Sequence, residues 1–80
     1  MSGEEAIAEL LDRRGPGATI CPSEAARLLA VGGGDWRLEM THVHAAADRL
    51  LAEGKIALSW KGTALEHRSG PYRIARAGTA

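Results

Sequence analysis

The stretch from Asp35 to Ile56, DWRLEMTHVHAAADRLLAEGKI, constrains the fold more than any other. Trp36, Met40, Val43, Ala47, Leu50 and Gly54 recur at alternating spacings of four and three, and Ala46 and Leu51 widen the stripe. That period belongs to a helix buried along one side. Asp35 can cap its start, because a carboxylate there accepts from free N–H groups of the first turn. Gly54 stands where a left-handed φ closes a helix. The helix is expected over about 36–53, either continuous or restarting at Thr41, whose hydroxyl can cap a second start. After Gly54 the period drops from 3.6 to 2, which marks a strand.

Two shorter helices precede it. Ser2 and Glu5 stand in capping-box register, Ile7, Leu10 and Leu11 form an i, i+3, i+4 stripe, and Gly15-Pro16 stops the run. This predicts a helix over 3–14, with Glu4, Glu5 and Glu9 early and Arg13 and Arg14 late, as the helix dipole prefers. Pro22 at a first helical position and the stripe Ala25, Leu28, Leu29 predict a helix over about 22–31. Gly32-Gly33-Gly34 then makes a connector; it lacks the Gly-Lys-Ser/Thr ending of a phosphate loop. Ala18-Thr19-Ile20 can add only an edge to a sheet formed elsewhere.

The wing is expected over 55–76. Ile56, Leu58 and Trp60 alternate on one strand, Lys61-Gly62 opens a loop that Gly70-Pro71 ends, and Tyr72 to Arg76 alternates again. Antiparallel pairing would set Leu58 against Ile74 and Trp60 against Tyr72. Residues 77–80 read as a frayed end. Helix, edge strand, helix, helix and hairpin is the order of a winged helix-turn-helix: mainly α, with three helices and a two- to three-stranded antiparallel sheet. One domain over 1–80 is expected, with Leu10, Leu11, Leu28, Leu29, Val43, Leu50, Ile56 and Leu58 in its core.

The blocks Arg14-Gly-Pro-Gly-Ala-Thr-Ile-Cys-Pro-Ser-Glu24, Asp35-Trp36-Arg37, Leu51-Ala-Glu-Gly-Lys-Ile56 and Gly70-Pro71 resemble an uncharacterised bacterial family of small winged-helix-like domains. The resemblance spans most of residues 4–76. It implies the same fold and brings no catalytic residue with it. It also implies Pro and Arg where this chain has His42 and His44, so the third helix lacks one basic side chain here.

No residue set specifies a chemistry. The single cysteine, Cys21, excludes an internal disulfide and suits a reducing compartment. The acidic start MSGEEAIAELL is not a signal peptide, and no stretch has the length of a membrane span; a cytoplasmic protein is expected. Cys21 lies near a helix N-terminus, but no motif places His42, His44 or His67 as its base, so a capping role is expected. His-x-His on a helix points its rings about 200° apart, and His44 with Asp48 supplies only two ligands. No metal, cofactor, small-molecule substrate or enzymatic activity is expected.

Charge points to partners. Residues 1–54 carry five arginines against nine acids, net −4, and residues 55–80 carry five cations against Glu66, net +4. Such a split signals either an anionic partner or docking charges within the fold. In the first reading Lys55, Lys61, Arg68, Arg73 and Arg76 make a basic wing beside Trp60 and Tyr72, with Arg49 and His44 on the third helix, and the partner is DNA or RNA. The outward side of that helix, His44, Ala45, Asp48, Arg49 and Ala52, is poor in base-reading groups. Against that first reading stands one in which Trp60 and Tyr72 complete the core while the cations solvate the hairpin; separately, the neutral third helix with Ala45 and Ala52 exposed suits a protein partner or a homodimer.

Overall fold

A computed structural model describes residues 1–78; the last two residues of the segment expected to fray lie outside it. Seven elements follow one another: α1 (Gly3–Arg14), β1 (Thr19–Ile20), α2 (Pro22–Leu29), α3 (Trp36–Ala52), β2 (Ile56–Trp60), β3 (Thr63–Leu65) and β4 (Arg73–Arg76). Three helices cover one face of a four-stranded antiparallel sheet of order β1-β4-β2-β3, a winged-helix-like arrangement.

Helices α1 and α3 start where their caps dictate. Ser2 Oγ accepts from the Glu5 amide at 3.0 Å, and Glu5 accepts from the Ser2 amide at 2.7 Å, closing the capping box. Asp35 accepts from the Arg37 amide at 3.0 Å. From there α3 runs unbroken through Thr41. It ends in a Schellman turn: the amides of Gly54 and Lys55 donate to the carbonyls of Leu51 and Leu50, with Gly54 at φ 73°. The second helix stops at Leu29, two residues short of expectation, and turns through Ala30 to Gly33.

The sheet has four strands rather than two or three. Trp60 pairs with Thr63, so Lys61 and Gly62 form a two-residue hairpin loop, both at positive φ (51° and 82°). Two-residue hairpins require such angles, and a lysine in that role hides the turn from a reading based on Asn-Gly or Asp-Gly. Leu58 faces Ile74 as expected, whereas the β2–β4 ladder ends at Ser59–Arg73, one pair short of Trp60 and Tyr72. Thr19–Ile20 does add the edge, against Ala75 and Ile74.

The core is built from small residues and a few branched ones. Ile7, Ile20, Val43, Leu58 and Ile74 are fully buried, cemented by Ala6, Ala25, Ala26, Ala46 and Ala47. Leu11, Leu50, Ile56 and Tyr72 complete it, while Leu10, Leu28 and Leu29 only pack against its margin. The first and third helices cross so closely that a Cβ on Gly3 would stand 2.8 Å from Ala46 Cβ and 2.9 Å from the His42 carbonyl oxygen.

Candidate functional site: the wing and its groove

The block from Arg14 to Glu24 is a staple. Gly15 and Gly17 turn the chain at positive φ, and Arg14 reaches forward to the Thr19 carbonyl (3.3 Å) and to Glu24 (2.7 Å). Glu24 in turn accepts from the Cys21 amide at 3.0 Å, at the first turn of α2. Burial works against the Glu24 carboxylate, yet Arg14 and the Cys21 amide hold its pKa below the ordinary value. Arg73 completes the staple from β4, donating to Thr19 Oγ1 at 2.7 Å and to its carbonyl at 3.2 Å.

Most of the cations expected to face nucleic acid are bound inside the chain. Arg68 forks onto Asp48 of α3, with bonds of 2.8 and 2.9 Å, and this pairing holds the Asp48 carboxyl below its ordinary pKa. Arg76 reaches Asp12 of α1, Arg49 reaches Glu4 at 2.7 Å, and Lys55 lies 3.3 Å from Glu53. Arg73 belongs to the staple. Lys61, at the tip of the β2–β3 hairpin, has no carboxylate partner among the described residues. The −4/+4 split is thus largely answered within the fold: α1 and α3 supply acids to the arginines of the wing.

His44 does not face outward. It is half-buried, its Nδ1 2.7 Å from the Tyr72 hydroxyl, its ring 5.7 Å from the phenol ring. Burial, helped by the Arg68 charge, lowers the His44 pKa, while burial raises Tyr72 to about 12. Both rings are therefore neutral near pH 7, and one hydrogen bond satisfies the pair; the tautomer of His44 decides which atom donates. His42 turns the other way and meets Glu39 at 2.9 Å.

These residues border an open groove of about 230 Å3 between the start of α2, the middle of α3 and the end of the wing. Pro22, Met40, Trp60, Pro71 and Tyr72 make it apolar; Cys21, Ser23 and His44 are its polar atoms, with Cys21 Sγ 3.1 Å from Ser23 Oγ. Trp60 is 38% exposed at the rim. No carboxylate lines it. Among the described residues no three His, Cys, Asp or Glu side chains gather closely enough to hold a metal ion, and no helix is long and apolar enough to cross a membrane.

A second cluster escaped the sequence. Arg27 from α2 and Arg37 from α3 each hold their guanidinium carbon 4.7 Å from the Trp36 ring centre. Nothing local signals this, because Arg27 and Trp36 meet only when the two helices pack. In the sequence Pro22, Met40 and Pro71 have structural places alone for the same reason: the groove that joins them with Ser23 forms when the elements pack.

The family profile described as "Protein of unknown function (DUF3253)" matches residues 1–77. No curated protein matches the chain. The chain belongs to that family.

Proposed function

We propose that this domain is a non-enzymatic docking module that seats a segment of another protein in the groove beside Trp60. The observation that supports it is one contrast. The wing's arginines are bonded to the chain's own acids and carbonyls, while an apolar groove with Trp, Met, Tyr and Pro walls stays open. Aromatic residues and Met are the types enriched where proteins meet, and they carry much of the binding energy there. At about 230 Å3 the groove is smaller than the roughly 300–1,000 Å3 typical of small-molecule sites, which suits one or two anchoring side chains.

A titration of the isotopically labelled domain followed by NMR tests this. Peptides selected from a random displayed library should move the signals of Met40, Trp60 and Tyr72, and Trp60→Ser should weaken them by about tenfold or more, as loss of an anchor does. Mixed-sequence duplex DNA at low salt should bind weakly. Tight DNA binding together with failure to select any peptide would overturn the proposal in favour of a nucleic-acid role.

A further inference from the structure

The Arg27–Trp36–Arg37 cluster lies on the same seam as the groove. Ser23 lines the groove and Arg27 follows it by four residues on α2; Met40 lines the groove and Trp36 precedes it by four on α3. Four residues on a helix return to the same face about one turn away. Arg27 and Trp36 therefore stand about one helical turn from groove residues, each on the groove side of its helix. Lys61 directly follows the groove residue Trp60 in the hairpin loop.

Those cations are available. Arg27 has no carboxylate partner among the described residues. Among the described residues Arg37 meets one acid, Asp35, at 3.9 Å, through the same oxygen that caps the helix. An arginine resting on an indole can keep its planar N–H fork for a second partner, and that fork matches a carboxylate. Glu39, one residue before Met40, is turned to His42, and Glu24, one residue after Ser23, is bonded to Arg14. So an apolar groove with no acid in its lining has Arg27 and the Trp36–Arg37 pair about one turn along its two helices, and Lys61 next to Trp60.

Resting on the docking role proposed above, we infer that the segment the groove takes is acidic: one large apolar side chain anchors beside Trp60, and flanking carboxylates fork onto Arg27 and Arg37. Carboxylates would find there what they lack in the wing: Arg27 without an acid partner among the described residues, and Arg37 in a long 3.9 Å contact with Asp35.

The test again starts from random peptides displayed on phage and selected against the wild-type domain. The enriched sequences should combine a large apolar residue with Asp or Glu within about one helical turn to two of it. Replacing those acids by Asn or Gln in a selected peptide should weaken binding to the unaltered domain by about tenfold, the loss expected of one charge-assisted pair. Arg27→Gln/Arg37→Gln should reproduce that loss, and Arg27→Lys/Arg37→Lys should restore part of it. Enriched peptides without acids, or acids whose removal changes nothing, would overturn this inference and leave the groove reading standing. Enrichment of nothing at all would overturn both, and preference for a polyanion such as duplex DNA over every peptide would assign the arginine pair to phosphate instead.

Discussion

At the scale of single residues the most informative side chain is His44, because its surroundings convert a surface assignment into a half-buried, titrating position at the groove. It touches the Tyr72 hydroxyl, and the charges facing it are Arg68 and Asp48, already paired with each other. Its folded pKa lies below the ordinary 6.5, so folding favours the neutral imidazole. The stability this confers is present above 6.5 and is lost as pH falls through the lowered value. The paired carboxylates Asp48, Glu4 and Glu24, also lowered from ordinary values of 3.8 and 4.5, lose their contribution only at more acid pH. Thermal melts should therefore show two steps of acid destabilisation. His44→Gln, which keeps a hydrogen-bonding group for Tyr72 without a titrating ring, should remove the first step and spare the second. A first step that survives the substitution would mean that another group causes it.

At the scale of elements, periodicity, caps, the pairing of β2 with β4 and the edge role of β1 are legible in the sequence, and most side-chain contacts between packed elements are not. The capping box at Ser2, the Asp35 cap, the Gly54 exit and the Leu58–Ile74 pair all follow from local chemistry. Strand β3 is absent from the sequence reading because its turn uses Lys61, and His44 reads as outward because helical phase gives no hint that Tyr72, just ahead of β4, packs against it. Leu10, Leu28 and Leu29 were placed in the core, yet alanines take much of it. Small residues let helices approach closely, and a stripe weighted by hydrophobicity undervalues them. Gly3 makes that closeness testable. Gly3→Ala improves helix propensity at its own position, but its Cβ would meet Ala46 and the His42 carbonyl inside contact distance, and a backbone atom cannot swing away. The α1–α3 crossing must open, so the variant should lose about 1–3 kcal/mol despite the better helix former. Equal or raised stability in a denaturant melt would show that the crossing relaxes freely.

At the scale of the whole molecule the question is what the charge asymmetry is for. Its halves are joined by pairs that bridge distant elements, Arg76 to Asp12 and Arg68 to Asp48. Exposed pairs of this kind are individually worth about 0–1 kcal/mol, so they do little for stability, but they do neutralise the face that a phosphate backbone would need. Each phosphate contact steepens the salt dependence of log K by about 0.9 on duplex DNA. With Lys61 and Arg27 lacking a carboxylate partner among the described residues and Arg37 meeting Asp35 at 3.9 Å, any binding by the wild type should show a slope no steeper than about 3, and it should vanish at physiological salt. Neutralising the acids that hold the wing's arginines then makes a sharp prediction. Asp12→Asn/Asp48→Asn releases Arg76 and Arg68 and raises the net charge by two; it should tighten DNA binding and steepen the slope by about two, with little loss of fold. If instead the wild type already binds duplex DNA with a slope near 5 or above and the double variant adds nothing, phosphates displace the internal carboxylates unaided. The arginines of the wing would then be a held reserve for nucleic acid, and the apolar groove would be secondary to it.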